Sequence, residues 1–293
     1  MPNISITFPF LHFKITDKDI ISSIDEIRAN SSSIKKDIPA KLFKECKHTL
    51  CTPLRMFWEK SLQCGHIPLA YKNQTIVPIY KKGLKTKPIN FRPVSLTPHE
   101  IKIMERILRK KMTEHLEKNS LINLNQHGFR HNHSCATQLL SHLFYIFSNS
   151  IFGNQVDSIY VDYAKAFDKV DHGLLVKKLE CYGITGKILT WVEDFLNQRT
   201  QTVFLDNHFS YATPVISGVP QGSVLGPLLF IIYINDLSKS IRGPLSQTFT
   251  FADDTKLVSS ISSTVDQINL QNDLNNIIKW SKLNNMSLNC KKF

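Results

Sequence analysis

The sequence predicts an α/β fold of the α+β kind, in which an antiparallel sheet is backed by helices. Three observations lead there. Apolar residues recur at helical spacing in several segments, for instance Ile101, Met104, Ile107, Leu108 and Met112. Short β-branched or alternating runs at 75–80, 158–162, 248–251 and 255–258 read as strands. The last two flank the tight turn Ala252-Asp253-Asp254, which makes them an antiparallel hairpin.

The elements follow in order. Thr16 and Asp17 can cap a helix that carries Ile20, Ile21, Ile24 and Ile27. Residues 31–36, with three serines and two lysines, read as an exposed loop. Residues 42–65 give a second helical pattern, closed by Gly65 and Pro68. The strand at 75–80 turns at Lys81-Lys82-Gly83, and a proline-rich basic loop leads on to Phe91-Arg92-Pro93-Val94-Ser95-Leu96. The helix with Ile101 to Met112 comes next. Ser158-Ile159-Tyr160-Val161-Asp162 is a strand ending on an aspartate, and helix resumes around Ala164. Residues 200–205 and 211–215 suggest a hairpin, 228–237 a buried helix, and 265–280 another helix. No internal repeat is visible. The chain is divided into a helical extension at 1–65, a region at 66–157 with 172–214 inserted, and a region at 158–171 and 215–293.

Charge points to a polyanionic partner. The 293 residues hold 36 Lys plus Arg against 24 Asp plus Glu, a net charge of +12. Neutralising phosphates with such cations releases condensed counterions. From Lys60 to His99 there is no acidic residue, while Lys72, Lys81, Lys82, Lys85, Lys87 and Arg92 fall in that window. A solvated charge face mixes both signs, so this one-sign stretch reads as phosphate-facing. The six cysteines are scattered, which suits free thiols in a reducing compartment. Cys46, His48, Cys51, Cys64 and His66 match no compact zinc spacing, and buried thiols are preferred for them; His127, His131, His133 and Cys135 are discounted alike. The N-terminus lacks a basic lead-in to its apolar residues, and the apolar run at 228–234 is too short to span a bilayer. The expectation is an intracellular protein, in the nucleus and/or cytoplasm, neither secreted nor membrane-bound.

Three aspartates carry the chemistry. Phosphoryl transfer to a nucleotide uses two divalent cations that bracket the reacting phosphate. Mg²⁺ prefers a few carboxylates plus substrate oxygens, so carboxylates from separate elements have to converge. Asp162 ends one strand and Asp253-Asp254 sits at a hairpin tip. Pairing of those strands in one sheet brings the three together. Asp-Asp in a turn is weak alone, because Asp is a good turn residue. The apolar flanks Phe249, Phe251, Leu257 and Val258 tie this turn to a core strand pair.

The motifs then resemble a family. Val161-Asp162-Tyr163-Ala164-Lys165-Ala166-Phe167-Asp168-Lys169-Val170-Asp171-His172 is similar to motif A of the reverse transcriptases of non-LTR (LINE-type, jockey-like) retrotransposons. Ser217-Gly218-Val219-Pro220-Gln221-Gly222-Ser223-Val224-Leu225-Gly226-Pro227-Leu228-Leu229-Phe230 resembles motif B, and Phe251-Ala252-Asp253-Asp254-Thr255 motif C. Pro78-Ile79-Tyr80-Lys81-Lys82-Gly83, Asn90-Phe91-Arg92-Pro93-Val94-Ser95-Leu96 and Gln126-His127-Gly128-Phe129-Arg130 resemble the fingers motifs, in the same order. The resemblance runs from about Ile20 to the end, and six motifs in sequence make it specific.

It implies a right-hand polymerase: 66–157 as fingers, 158–171 and 215–293 as palm, adding deoxynucleotides to a primer 3′-hydroxyl on an RNA template. Mg²⁺ is the implied cofactor, as two ions that Mn²⁺ can replace. The partners are the RNA template, a DNA primer and deoxynucleoside triphosphates. By the same analogy Asp162 and Asp253 bridge the metals and Asp254 supports them, with turn stabilisation as its alternative role. Phe167 stands where the family places a gate against the 2′-hydroxyl, with ordinary packing as the alternative. Lys81 and Arg92 correspond to cations on the triphosphate, and Gln221 with Gly222 to a turn against the nascent base pair. Arg130 corresponds to a template contact or a plain surface charge. Lys292 corresponds to the general acid for pyrophosphate, with Lys291 close behind. Asp168 and Asp171 read as caps or local ion-pair partners.

One departure stands out. Where the family often has Gly-Pro-Asp-Gly, this chain has Ile34-Lys35-Lys36-Asp37 ahead of Ile38-Pro39. Neither the endonuclease that usually precedes this region in the family nor the thumb that follows it is visible in the sequence, so a fragment, a truncated copy or a partial gene model is expected. The rival reading is a catalytically inert, nucleic-acid-binding remnant of a retrotransposon. A group II intron-type maturase or an RNA-copying polymerase is the enzymatic rival.

Overall fold

A computed structural model of the chain describes residues 9–31 and 37–289. Along it run helices α1 (Asp17–Asp25), α2 (Ala40–Glu45) and α3 (Lys47–Cys64), strands β1 (Asn73–Tyr80) and β2 (Phe91–Leu96), and helices α4 (His99–Lys118) and α5 (Cys135–Ser150). Strand β3 (Gln155–Val161), helices α6 (His172–Cys181) and α7 (Gly186–Leu196), and strands β4 (Thr200–Leu205), β5 (His208–Phe209) and β6 (Thr213–Pro214) follow. Helix α8 (Gly226–Ile234), strands β7 (Ser246–Phe251) and β8 (Asp254–Ile261) and helix α9 (Thr264–Leu283) complete the set. Two compact units result. Among the described residues, the first is built from Leu116–Lys178 and 227–289, the second from 9–31, 37–115 and Leu179–Gly226.

In the second unit the predicted caps are in place. Thr16 accepts from the Asp19 backbone N–H at 3.2 Å and the Asp19 carboxylate accepts from the Thr16 N–H at 2.9 Å, a reciprocal capping box that starts α1. The helical stretch expected at 42–65 is two helices, because Cys46 breaks the first with φ −99 and ψ 15. Gly65 ends α3 in the left-handed region at φ 64, and a Cβ there would lie 2.6 Å from Thr190 Cγ2, so conformation and space both require glycine. The sheet of this unit runs β2-β1-β4-β5, with β6 also on β4. Its β1–β2 hairpin is antiparallel, whereas β1 and β4 pair in parallel from Asn73↔Thr200 to Ile76↔Val203. The hairpin read at 200–205 and 211–215 has its return strand in two pieces, β5 and β6. Ser210 lies between them and bonds Val203 through both its backbone N–H and its hydroxyl.

The first unit contains the antiparallel sheet, ordered β3-β8-β7. Strand β8 is central and buried over most of its length. Helix α5 lies against β7 and β3, and α9 against β8. Asp171 caps α6 by accepting from the Leu174 N–H at 2.9 Å, in agreement with its reading as a cap. The helix expected from about Ala164 begins instead as a short 3-10 turn, Ala166–Lys169, entered through Lys165 at φ 53. Residues 228–234 of α8 are apolar on every side and all buried, as a helix in the centre of a core must be.

One cation is part of that core. Lys178 is 1 % exposed. Its Nζ donates to the Tyr233 carbonyl at 2.6 Å and to Asp236 Oδ1 at 2.7 Å, while Trp280 Nε1 donates to the same carboxylate oxygen at 3.0 Å. The Tyr233 and Trp280 rings lie 4.7 and 5.0 Å from the ammonium. A buried charge is tolerable only when paired and hydrogen-bonded in this way.

Each of the five described cysteines carries a free thiol. Among the described residues no helix is long and apolar enough to cross a membrane.

Candidate active site on the antiparallel sheet

The sheet brings the motif aspartates to one end. Strands β3 and β8 pair up to Val161↔Thr255, and continuing that register by one residue sets Asp162 across from Asp254. Strands β7 and β8 close at Phe251↔Asp254, so Ala252 and Asp253 form a two-residue turn and Asp254 is the first residue of β8. Asp162 and Asp253 are half-buried, and Asp254 is exposed. All three are oxygen donors with no thiol or imidazole among them, a donor set suited to Mg²⁺ or Mn²⁺. Among the described residues no group of three or more His, Cys, Asp or Glu side chains lies close enough to hold a metal ion.

Asp162 is held from a distant part of the chain. Residues 287–289 run beside 162–164: the Ala164 N–H donates to the Ser287 carbonyl and the Asn289 N–H to the Asp162 carbonyl, each at 2.9 Å. The Asn289 side-chain amide also donates to Asp162 Oδ2 at 2.6 Å. Between them Tyr163 is buried, its ring edge-on to Trp280, and burial pushes its phenol up to about 12. The sequence drew attention to Lys291 and Lys292 just beyond this stretch but gave no role to Asn289.

Phe167 projects from the 3-10 turn after Asp162. Its ring stacks on Phe230 of α8 with centroids 4.2 Å apart and planes 16° apart, and Phe129 meets it edge-on at 6.1 Å. A ring packed on two sides has few rotamers left to it, as a steric gate needs. Packing and gating are therefore compatible roles for this residue.

Arg130 is committed to its own loop. Its side chain is 7 % exposed and forks onto both oxygens of Glu117 at 3.0 and 2.9 Å. Nη1 donates to the carbonyls of Asn123 and Gln126 at 2.9 and 3.2 Å. A guanidinium bonded on all three nitrogens braces this loop; it is not presented as a surface charge. Lys292 lies outside the described residues.

In the second unit Lys81 and Arg92 lie on the β1–β2 hairpin, both exposed, along with Lys82, Lys85 and Lys87. Lys72, counted in the same basic window, is different. It is fully buried, with its Nζ on Asp194 Oδ1 at 2.8 Å, so it belongs to the interior and not to a phosphate-facing surface. Likewise Arg106 and Arg109 both face Glu26, at 3.5 and 3.7 Å.

The Pro220-Gln221-Gly222 turn packs on β2. The Ser95 N–H donates to the Gln221 carbonyl at 2.7 Å. Gly222 has φ 129, and a Cβ on it would sit 2.3 Å from the Ser95 carbonyl oxygen. The close approach that this glycine permits in the structure is thus to Ser95. Glu105, fully buried, accepts from the N–H groups of Val224 and Leu225 at 2.6 and 2.9 Å and fixes the backbone just after the turn. Burial raises its carboxyl above the ordinary range, opposed by those two N–H groups and by the Arg199 charge. Arg199, also buried, is lowered to about 10 by desolvation. The sequence alone assigned no role to Glu105.

Comparison with known proteins agrees with this geometry. Residues 79–293 match the family described as reverse transcriptase (RNA-dependent DNA polymerase). The RNA-directed DNA polymerase from mobile element jockey of Drosophila melanogaster is 30% identical over 82% of this chain, and its Drosophila funebris counterpart 28% over 82%. The Retrovirus-related Pol polyprotein from type-1 retrotransposable element R2 of Popillia japonica is 25% identical over 81%. The chain spans only 27%, 27% and 34% of these relatives' lengths. With the motif aspartates gathered at one end of an antiparallel sheet, and a match over most of its length, the chain belongs to the reverse transcriptase family and is similar to its jockey-like, non-LTR members.

Proposed function

We propose that this chain carries the catalytic core of an RNA-directed DNA polymerase, which adds deoxynucleotides to a primer 3′-hydroxyl on an RNA template. The observation that carries the reading is the register of β3, β8 and β7, which aligns Asp162 with the Asp253-Asp254 turn in a reverse transcriptase sheet.

Asp162 and Asp253 are the residues that would hold two Mg²⁺ ions, with Mn²⁺ as a substitute, and Asp254, being exposed, adds negative charge beside them. Bound there, such ions supply activation of the attacking hydroxyl and neutralisation of the leaving pyrophosphate. The protein's own residues do the rest. Asn289 orients the Asp162 carboxylate. The Phe167 ring, backed by Phe230, fills the space a ribose 2′-hydroxyl would need. Arg92, whose guanidinium can fork onto phosphate oxygens, and Lys81 bind the triphosphate. Gln221 and Gly222 contact the incoming nucleotide, and Lys292 gives a proton to the pyrophosphate. Arg130 supports the loop that carries Phe129, and through that loop it bears on the template.

Primer extension on an RNA template with Mg²⁺ and deoxynucleotides, run beside Asp253→Ala, tests the reading. Extension by the unaltered chain that is lost in the variant supports it. A chain that binds primer–template but extends nothing, with Mg²⁺ or Mn²⁺, would instead be an inert nucleic-acid-binding remnant.

A further inference from the structure

The turn that carries Asp253 is a strained one. Ala252, its first residue, has φ 56, a left-handed conformation that costs a non-glycine residue roughly 1–2 kcal/mol. Something has to hold it. Ala252 is buried, and its backbone is met by one side chain, the amide of Gln126. Gln126 Oε1 accepts from the Ala252 N–H at 2.9 Å, and Gln126 Nε2 donates to the Ala252 carbonyl at 3.3 Å. The same Oε1 accepts from the Gly128 N–H at 2.8 Å, which fixes the amide's own orientation. A primary amide that answers both the donor and the acceptor of one peptide residue does what a neighbouring strand would do.

The surroundings supply the rest of that strand. Thr250 donates its N–H to the Asn125 carbonyl at 3.0 Å, and the His127 N–H donates to the Thr250 carbonyl at 2.9 Å. Residues 125–127 therefore lie along the outer edge of β7, and Gln126 continues the pairing past the end of the strand. Gly128 closes the contact. A Cβ there would stand 2.3 Å from the Ala252 nitrogen, so no other residue lets the segment approach this near. Gln126 is 3 % exposed, which keeps water from competing for the Ala252 groups.

We propose that Gln126 is a positioning residue for the catalytic turn: its side-chain amide fixes the backbone of Ala252 and so sets where the Asp253 carboxylate points. This inference rests on the polymerase reading above, in which Asp253 binds metal. Gln126 touches neither nucleotide nor metal and acts through Ala252 alone. Its motif was identified in sequence as part of the fingers; here it is built against the aspartate turn, within one compact unit.

The test uses the whole chain with Gln126→Met, which keeps length but removes donor and acceptor, and Gln126→Glu, which keeps the acceptor and loses the donor. Deoxynucleotide incorporation, Mn²⁺ affinity and Tm are measured for each, with Asp253→Ala and His127→Ala alongside. The His127 ring bonds Thr137 and not the turn, so His127→Ala perturbs the same segment through packing. Gln126→Met should lower kcat by about 10- to 100-fold and weaken Mn²⁺, with nucleotide KM nearly unchanged. Gln126→Glu should recover part of the loss, and His127→Ala should lower Tm without a comparable fall in kcat. If the unaltered chain extends primers and Asp253→Ala does not, while Gln126→Met works at full rate or His127→Ala loses as much, the clamp is wrong and the polymerase reading stands. If the unaltered chain neither extends primers nor binds Mn²⁺, both fall together.

Discussion

Asn289 donates its side-chain amide to Asp162 Oδ2 at 2.6 Å and its backbone N–H to the Asp162 carbonyl at 2.9 Å, so one residue holds both the side chain and the main chain of the first motif aspartate. Hydrogen bonds to charged groups contribute about 1.5–3 kcal/mol. Asn289→Ala should therefore free the carboxylate to leave its working rotamer. We expect kcat for primer extension to fall by about tenfold, the equivalent of 1.4 kcal/mol, while Tm changes little, since the backbone bond remains. A kcat equal to that of the unaltered chain would show that Asp162 needs no such partner.

Phe167 is held by Phe230, and the predicted change follows from the ring's bulk. Phe167→Val should admit ribonucleotides, seen as a rise in the ratio of ribo- to deoxynucleotide incorporation. Loss of the stacked pair should also cost about 0.5–1.5 kcal/mol beyond the buried area. Stability and selectivity should thus change together. An unaltered incorporation ratio in a folded variant would leave Phe167 with packing alone.

Gly222→Ala should fail by structure, independent of chemistry. The added methyl meets the Ser95 carbonyl oxygen at 2.3 Å, and φ 129 is unfavourable to any side chain. The expected destabilisation exceeds about 1 kcal/mol and should appear in denaturant unfolding without any substrate present. A neutral outcome would mean that the turn can move away from β2.

Glu105 gives a pH dependence whose sign is fixed by burial. Its pKa in the folded chain is raised above the ordinary value of 4.5, so the folded state holds the proton more tightly than the unfolded one. Its contribution to stability is fully present below 4.5 and is lost as pH rises through the higher folded value. Glu105→Gln keeps an acceptor for Val224 and Leu225 but cannot ionise. Unfolding measured from pH 4 upward should show a shallower decline in the variant; parallel curves would remove Glu105 as the source.

Much of this was legible in the sequence, for local reasons. Thr16 caps α1 as the sequence proposed, with Asp19 rather than Asp17 as its partner, Gly65 ends its helix by its own φ, and the Asp253 turn announces itself by strand alternation on both sides. The contacts that set the site were not legible, since they join residues far apart. Gln126 and Ala252 are separated by 126 positions, Asn289 and Asp162 by 127, and nothing in an amide's local context marks its acceptor. Charge misled in one respect. Lys72 and Arg130 add to the basic total, yet Asp194 and Glu117 hold them inside, and a sequence window sees a cation without its distant partner.

The pairing of residues 287–289 with 162–164 has a consequence for synthesis. A chain emerging from the ribosome displays β3 and its terminal aspartate long before β8 exists to pair with it, and longer still before residue 289 arrives. Domains form as units while translation proceeds, and this unit has to wait for nearly all of its codons to be read. A product released early, even one that already contains every aspartate of the site, would leave Asp162 without the amide that orients it.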